Sequence, residues 1–451
     1  MSKIEVVWFK DLRRWDVSYF SGIHSFSSKF KLEYLEKILQ PRKEKIKINE
    51  YDGVTPIVAK IPFQQSHIEY RKELKTKMDM YAVYQEDLLV SNINFHQGAV
   101  AICDKQKVYA STHYQPYIIN NESILSKFLI LMLKQKRFQE YVATKKVKGI
   151  KTESNFNFIK TLQIPLPPLE IQKEIVQKIQ SIQDKIKALQ EGEKRLKEEI
   201  EAYIYTALGL KRKEERKKQK IFVVDFKNLE RWDISYNQNN TICHSKRSEE
   251  TMQNNRTKYP PSKIGNICFI NPNVDFKELI KNDKKVSFLP MRAVSSNGIE
   301  YSPKEKNAVE SKGFVKFQNG DLLWAKITPC MQNKKSVVVD NLLNGNGFGS
   351  TEFFVMRAKN KNEADIRFIL YFLRLDSVIN EAKLSFKGSA GQQRVPKSFL
   401  ENLLIPLPPL EIQQQIIENI ESKQKIIEEN KNKIKNLQSS IDNKLQEFIF
   451  A

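Results

Sequence analysis

The sequence predicts an α+β fold that is built twice, as two tandem α/β domains that are each followed by a long coiled-coil helix. The first observation is a nine-residue string, Ile-Pro-Leu-Pro-Pro-Leu-Glu-Ile-Gln, which occurs at residues 164–172 and again at 405–413. Each copy opens a stretch of heptad-spaced apolar residues, and other landmarks recur in the same order. The spacing of 241 residues (405 − 164) indicates a duplicated domain plus helix, because solenoid repeats are far shorter.

The two halves of the chain are collinear. Their paired landmarks are Trp15-Asp16 with Trp232-Asp233, Asp87-Leu88-Leu89 with Asp321-Leu322-Leu323, Ser111-Thr112 with Ser350-Thr351, and residues 128–134 with 368–374. The offset rises from 217 to 240 along this series, which is typical of tandem duplication followed by insertion. Segments 21–86 and 238–320 share almost no sequence, so we expect one repeated frame that carries two different recognition surfaces. The repeated tryptophans are expected to be core anchors.

The composition favours a nucleic-acid ligand. A net charge of +22 attracts polyanions, although a lysine-rich genome would raise the charge of every protein in the same way. No apolar run approaches the roughly 18 residues of a membrane span, so we expect no membrane contact. The four cysteines are scattered and the N-terminus has no apolar signal region, which favours reduced thiols in the cytoplasm.

Each copy of the nine-residue string is expected to start a helix of about 40 residues, roughly 60 Å long, because two prolines precede a heptad pattern. The first seam is predicted at Ile175, Ile179, Ile182, Ile186, Leu189, Leu196 and Ile200. The second seam is predicted at Ile416, Ile420, Ile427, Ile434, Leu437, Ile441 and Leu445. Polar Glu193, Lys423 and Asn430 make the two seams unlike, which favours pairing within one chain. Intermolecular pairing is the alternative.

No catalytic or metal-binding constellation occurs in the sequence. The five histidines have no metal-ligand spacing, and no G-x-x-x-x-G-K-[ST] phosphate loop is present. The glycine-rich stretch 345–349 precedes a strand-like run and does not open a helix, so it is interpreted as a turn. Asn271-Pro272-Asn273 lacks the second proline and the aromatic residue of an adenine methyltransferase motif. We therefore expect a non-catalytic protein with no metal of its own.

Several of these features together resemble one family. They are the nine-residue string opening a long helix in both halves, Arg-Trp-Asp at 14–16 and 231–233, and in the second half the stretches 321–330, 350–353 and 388–396. Over essentially its full length the chain resembles the DNA specificity subunit of type I restriction–modification systems. The first half departs from the pattern at residues 91–97 and 148–151, so the contacts expected there are less well defined.

The resemblance implies an α+β fold with two tandem α/β target-recognition domains separated by two long antiparallel coiled-coil helices. The domains would be residues 1–163 and 216–404, and the helical regions residues 164–215 and 405–451. Each domain would read one half of a gapped site in double-stranded DNA, and the helices would act as a ruler. The implied partners are two methyltransferase (modification) subunits that bind S-adenosylmethionine, and restriction/translocase subunits that use ATP and magnesium.

Loops between strand-like segments supply the DNA-binding candidates, because recognition residues commonly lie in loops and Asn, Gln, Arg and Lys match base edges. In the second half they are Lys326, Thr328, Gln332, Lys334, Lys335, Gln392, Gln393 and Arg394. Their positional equivalents in the first half are Asn92, Asn94, His96, Gln97, Lys148 and Lys151. The alternative interpretation is that residues 328–329 and 391–392 only shape turns.

Two other functions are compatible with parts of the sequence. A coiled-coil scaffold that binds nucleic acid without sequence specificity would show shallow sequence preference and steep salt dependence. A self-sufficient restriction–methylation enzyme would need catalytic motifs that this chain lacks.

Overall fold

A computed structural model describes residues 28–63, 66–145, 156–210, 257–388 and 392–450. The described residues fall into two compact units, one within Met1–Gln190 and Lys431–Ala451 and the other within Glu191–Asn430. Both tryptophan landmarks, Trp15 and Trp232, lie outside the described residues, as do the candidates Lys148 and Lys151.

The first unit combines short strands with a few helices and the outer part of each long helix. Its strands are β1 Leu32–Tyr34, β2 Leu39–Pro41, β3 Lys45–Ile46, β4 Val58–Lys60, β5 Glu69–Tyr70, β6 Met80–Tyr84, β7 Leu88–Ser91, β8 Val100–Ile102, β9 Lys107–Ser111, β10 Tyr114–Ile119 and β11 Gln163–Pro165. Its short helices are α1 Leu35–Ile38, α2 Ser126–Lys134, α3 Lys136–Lys145 and α4 Phe156–Ile159. The first long helix, α5, runs from Leu169 to Leu208.

The second unit repeats this arrangement. Its strands are β12 Pro261–Lys263, β13 Cys268–Ile270, β14 Lys285–Leu289, β15 Lys304–Asn307, β16 Val315–Gln318, β17 Asp321–Ala325, β18 Ser336–Val339, β19 Asn346–Gly349, β20 Phe353–Ala358 and β21 Leu404–Pro406. Its short helices are α6 Ile264–Ile267, α7 Lys277–Lys281, α8 Ile366–Leu373, α9 Asp376–Leu384 and α10 Lys397–Asn402. The second long helix, α11, runs from Leu410 to Ile449.

The central sheets of the two units have the same topology. The strand orders are β2-β10-β7-β8 and β13-β20-β17-β18, and all pairs are antiparallel. Leu88 lies opposite Tyr117 in the first sheet, and Leu322 lies opposite Met356 in the second. A two-stranded sheet, β1-β11 or β12-β21, precedes each long helix. The duplication seen in the sequence is therefore a duplication of this frame.

The remaining sheets differ between the units. The first unit has a three-stranded sheet β3-β6-β9 and the pair β4-β5, whereas the second has a four-stranded sheet β15-β14-β19-β16 in which β14 and β19 are parallel. Segments 21–86 and 238–320, which share almost no sequence, nevertheless have one structural feature in common. The series β1-α1-β2 returns as β12-α6-β13 at an offset of 229 (264 − 35), and the sequence comparison missed it because only apolar character is shared.

The two long helices pair with each other within the chain. In the first unit, Ile175 and Ile179 share a buried cluster with Leu445 and Ile449. In the second unit, the other end of α5 packs against the start of α11 through Ile204, Leu208, Ile416 and Ile420. The helices therefore run antiparallel, and the predicted fold class is confirmed.

The predicted seam residues lie on the paired faces of both helices. Those that are buried are Ile175, Ile179, Ile182, Ile186, Ile416, Ile420, Ile427, Ile434 and Leu445. Those that are half-buried are Leu189, Leu196, Ile200, Leu437 and Ile441. The polar residue Lys423 is accommodated at the rim, where its Nζ lies 3.0 Å from Glu199 Oε2.

The repeated glutamine of the nine-residue string is a buried tie between each long helix and its own unit. Gln172 accepts from the Leu125 amide at 2.9 Å and donates to the carbonyls of Ser123 and Pro167 at 3.0 and 2.8 Å. Gln413 makes the same three bonds, with the Asp365 amide and the carbonyls of Glu363 and Pro408, at 2.9, 2.8 and 2.8 Å. Both glutamines are fully buried, so these bonds satisfy groups that water cannot reach.

The repeated aspartates Asp87 and Asp321 are also structural. Each buried carboxylate receives two guanidinium hydrogen bonds, from Arg42 at 2.7 and 2.8 Å in the first unit and from Arg357 at 2.7 Å twice in the second. Hydrogen bonding to these carboxylates raises the pKa of both arginines. Arg42 directly follows β2, whereas Arg357 lies in β20, which corresponds to β10. The arginines therefore do not occupy matching positions of the two halves, although the aspartates do.

Among the described residues, no helix combines the length and apolar character that spanning a membrane requires.

Candidate nucleic-acid interface

The structure brings the two candidate segments of the second unit together. Residues 326–335 connect β17 to β18, and residues 392–394 lie beside them. Backbone hydrogen bonds join the segments, from the Thr328 amide to the Gln393 carbonyl at 3.0 Å and from the Val395 amide to the Lys326 carbonyl at 2.9 Å. These candidates, which are more than 50 residues apart in sequence, therefore form one continuous surface, which we call the second recognition loop pair.

The side chains of the second recognition loop pair differ in solvent exposure and in their contacts with the rest of the protein. Gln332 and Gln392 are exposed, and Gln332 accepts a hydrogen bond from the Thr328 hydroxyl at 2.9 Å. The Lys326 ammonium lies 5.2 Å above the ring centre of Phe354. Lys334 and Lys335 are turned toward the protein, where Lys334 Nζ lies 2.6 Å from Asp376 Oδ1 and Lys335 donates to the Met291 carbonyl at 3.0 Å.

Arg394 is bound to a carboxylate in this structure. Its guanidinium donates to both oxygens of Glu352 at 2.8 to 3.1 Å and to the Gln392 carbonyl at 2.9 Å. Hydrogen bonding to Glu352 raises the pKa of Arg394. While Arg394 is paired with Glu352, its Nε–H and one Nη2–H are occupied, so a two-donor contact to guanine through these groups would require release from Glu352.

The first unit carries its candidates at the equivalent place in the fold. Asn92, Asn94, His96 and Gln97 lie between β7 and β8, which correspond to β17 and β18. The Asn92 amide donates to the His113 carbonyl at 2.8 Å, just as the Lys326 amide donates to the Glu352 carbonyl at 2.9 Å in the second unit. The two units therefore share this backbone hydrogen bond at the start of the connection, although the side chains of the connection differ.

The side chains of this first connection are short amides for the most part. Asn92 donates to the Thr112 carbonyl at 3.2 Å, and its buried Oδ1 has no hydrogen-bond partner in the structure. Asn94 precedes a 3-10 turn at Phe95–Gln97, in which Gln97 is exposed and His96 half-buried. Gln97 is therefore the candidate of this group that is most accessible to a ligand.

No group of three or more potential metal ligands occurs among the described residues. Each unit presents a solvent-facing polar connection on its own central sheet. The first connection carries mainly amide side chains, and the second carries amide, hydroxyl and ammonium groups, all of which can form hydrogen bonds with a ligand. The fold and these loops define a duplicated binding protein with two unlike faces.

Comparison with known proteins shows the family. The model for the "Type I restriction modification DNA specificity domain" matches residues 29–202 and 257–438, once in each half. The chain belongs to this family, and the resemblance inferred from the repeated motifs is confirmed.

Two similar relatives match only about a third of the chain, and another matches most of the chain at low sequence identity. The EcoEI and EcoAI type I restriction enzyme specificity subunits of Escherichia coli are 35% and 36% identical over 156 and 154 residues, each 34% of this chain. The matched stretch spans about a quarter of their own length, 26% and 25% respectively. A putative type I restriction enzyme MjaX specificity subunit of Methanocaldococcus jannaschii is 23% identical over 410 residues, 88% of this chain and 85% of the relative.

One solved structure supports the fold over nearly the whole length. It comes from work on complex assembly and conformational transition of the type I R-M system, and it covers 94% of this chain and 98% of its own, with a TM-score of 0.51 and 14% identity. At this identity the likeness shows the fold alone.

Sequence reasoning did not single out three sets of residues whose side chains tie parts of each unit together. They are the buried glutamines Gln172 and Gln413, the Arg394 partner Glu352, and the cations Lys134 and Arg374 at the end of α2 and α8. The signal was available for the glutamines and the cations, because both pairs occupy matching positions of the two halves.

Proposed function

We propose that this chain is the DNA-binding specificity subunit of a type I restriction–modification complex, which recognises a bipartite gapped site through two target-recognition domains. One observation carries the proposal. Both units present the connection between corresponding central strands at the same place of the same sheet, with unlike side chains in residues 92–97 and 326–335. Because the two connections occupy the same place in the fold but carry different polar side chains, each can recognise a different half of the DNA site.

The chemistry of these connections suits base edges. Amide groups such as those of Gln97, Gln332 and Gln392 can both donate to and accept from adenine, and basic groups suit guanine or phosphate. The charge of +22 adds sequence-independent attraction to DNA. We expect the chain to act in the cytoplasm, where its proposed ligand lies.

The chain is proposed to be non-catalytic and to dock two methyltransferase subunits and the restriction/translocase subunits. S-adenosylmethionine, ATP and magnesium would then be bound by those partners. Family membership supports this division of labour, since a specificity domain is matched in each half of the chain.

A methylome tests the proposal. The full chain is expressed with its cognate methyltransferase subunits in an unmethylated host, and methylated adenines are mapped across the genome. The expected result is a two-part motif with a fixed gap and one methylated adenine in each half. An active methyltransferase that yields no motif with this chain would overturn the proposal in favour of a scaffold without sequence specificity.

A further inference from the structure

A cation stands at the same place in both units, where the apolar helix behind the central sheet ends. Lys134 is the last residue of α2, and Arg374 follows directly after α8, at an offset of 240 (374 − 134). Both side chains are partly buried, and burial lowers the pKa of Lys134 to about 8 and that of Arg374 to about 10. Burying a cation is unfavourable, so its retention in both units needs a reason.

Arg374 joins the frame to two separate loops of the second unit. Its Nη1 donates to the Lys334 carbonyl at 2.6 Å and to the Ser336 hydroxyl at 3.1 Å. These groups lie where residues 326–335, the second recognition loop, end at β18. Its Nη2 donates to the Ser296 carbonyl at 2.6 Å, in the segment that is unlike the first unit. Gly298 packs so closely on the guanidinium that an added Cβ would lie 2.9 Å from Cζ.

Lys134 makes the corresponding contact in the first unit. Its Nζ donates to the Phe63 carbonyl at 3.3 Å, and Phe63 lies in the segment that is unlike the second unit. Both cations therefore reach from the shared frame to a backbone carbonyl of the divergent part. A backbone carbonyl accepts a hydrogen bond whatever its side chain, so this type of tie survives sequence change in the loop it holds.

An ion pair also restrains the same loop in the second unit. Lys334 Nζ lies 2.6 Å from Asp376 Oδ1 at the start of α9, and the Asp376 amide donates to Glu201 Oε1 of α5 at 3.1 Å. Lys334, a DNA-binding candidate from the sequence, is thus held by the frame through both its backbone and its side chain. The tip of the loop, with exposed Gln332 and Asn333, remains open to solvent.

We propose that Arg374 is a positioning residue that fixes the second recognition loop on the shared frame, and that Lys134 fixes the divergent segment of the first unit in the same way. The inference rests on the proposed function, because the role concerns discrimination between DNA half-sites. Neither cation touches DNA in this role. Each one orders the backbone that presents the side chains, so its loss lowers discrimination at the half-site of its own unit.

The test compares Arg374→Met and Lys134→Met in the full chain with its cognate methyltransferase subunits. Methylation is measured on duplexes that carry the intact two-part site, a one-base change in the first half, or a one-base change in the second half. We expect each variant to lose about tenfold in discrimination at one half, equivalent to about 1.4 kcal/mol, and to keep the other half. The two variants should affect opposite halves. Arg374→Lys, which retains a cation, should restore part of the discrimination.

Arg367→Met is the matched control, because Arg367 lies on α8, the helix that ends just before Arg374, but pairs with Asp365 at 3.0 Å and does not reach the loop. Equal loss at both halves in Arg374→Met, or the same loss in Arg367→Met, overturns the inference. Should Arg374→Met fail to fold, Lys134→Met still tests the inference, because it must lower discrimination at the half-site of the first unit only. A wild-type chain without a two-part motif would instead sink the proposed function itself.

Discussion

Gln172 and Gln413 show how one residue type can preserve a duplicated architecture. Each buried amide saturates three backbone groups at the junction between a central domain and its long helix. Leucine has a similar volume but no polar atoms, so it would leave those groups buried and unpaired. This geometry accounts for the glutamine at the last position of the identical nine-residue string in both halves, without any direct contact to a ligand.

We expect Gln413→Leu to lower the free energy of unfolding of the second unit by about 2–4 kcal/mol, since buried unpaired groups cost about 1–3 kcal/mol each and partial relaxation recovers some of that. Chemical denaturation followed by circular dichroism measures the change. Gln414→Leu is the control, because Gln414 is exposed on the same turn of α11. Equal stability of the two variants would contradict the role given to Gln413.

Arg394 gives a residue-scale prediction about recognition. We expect Arg394→Ala to relax or abolish recognition at one half-site only, because the side chain lies in the second recognition loop pair and is held there by Glu352. Duplexes altered in one half or the other measure the effect. Equal loss at both halves would exclude a base-reading or loop-ordering role for Arg394 in the second unit.

The lowered pKa of Lys134 predicts a pH dependence of stability. Its folded-state pKa of about 8 lies below the ordinary value of 10.5, so between these values the unfolded chain binds a proton that the folded chain does not. The stability that Lys134 contributes is therefore full above pH 10.5 and is lost as the pH falls through about 8.

The unfolding free energy of wild type relative to Lys134→Met should thus rise between pH 8 and 10.5, as measured by denaturant titration at several pH values. Lys127→Met, which removes an exposed lysine of the same helix, should show no comparable rise. If the difference in unfolding free energy between wild type and Lys134→Met does not change with pH, the Lys134 ammonium is not buried in solution.

The residues of the interface were predictable only in part. The apolar runs in the sequence marked the strands, so the loops that carry Lys326, Gln332 and Arg394 could be predicted. The structure brings these loops together beside the central sheet. Their partners were not predictable, since the carboxylates that hold Lys334 and Arg394 lie on other elements, 42 residues away in each case. Pairings across a fold depend on tertiary packing, which no local pattern records.

At the scale of elements, the long helices were the easiest feature to predict. Two prolines followed by a heptad pattern placed the helix starts within a residue of Leu169 and Leu410. The sheets were harder, because most strands have three to five residues and carry little periodicity of their own. The series β1-α1-β2 escaped detection for this reason, although its counterpart β12-α6-β13 has the same form.

The seam of the helix pair contains a polar residue whose replacement should stabilise the protein. Glu193 occupies the position that Ile434 holds in the other helix, and its buried Oε1 has no hydrogen-bond partner in the structure. We expect Glu193→Leu to raise the free energy of unfolding by about 1 kcal/mol, because the cost of the buried oxygen is removed and apolar area is gained.

Denaturant titration of Glu193→Leu measures this gain, with the exposed residue Glu198 changed to leucine as the control. A loss of stability, or a new oligomer in analytical ultracentrifugation, would show instead that Glu193 selects the correct helix partner. That outcome would agree with the use of polar seam residues to fix register.

At the scale of the whole molecule, the chain combines a repeated frame with two unrelated secondary sheets. The frame comprises the central sheet, the apolar helix behind it and the long helix that follows, and it preserves buried ties such as Gln172 and Gln413. The divergent sheets differ between the units, and the exposed side chains of the connections at residues 92–97 and 326–335 can change without loss of core packing. Phe95 and Met331 in these connections are instead buried in the cores of their own units. Two recognition surfaces can therefore evolve separately within one protein.

The long helices make a final prediction about DNA. Each helix passes through both units without a break, and within the second unit Gly192 of α5 lies close to Asn430 of α11, since a Cβ on Gly192 would lie 4.0 Å from Asn430 Nδ2. Seven residues inserted after Gln190 and seven after Asn430 keep the heptad register and add about 10 Å of helix. If the helix pair is the ruler, the gap in the methylated motif should lengthen by roughly 3 bp while both half-sites keep their sequence.

The methylome of the double-insertion variant measures the gap directly. Insertion into one helix alone is the control, because it shifts the seam of one helix past the other and should reduce methylation without defining a new gap. A double insertion that leaves the gap unchanged would mean that the spacing is set elsewhere. The half-sites would then still be read by the two units, since that role rests on their loops and not on the length of the helices.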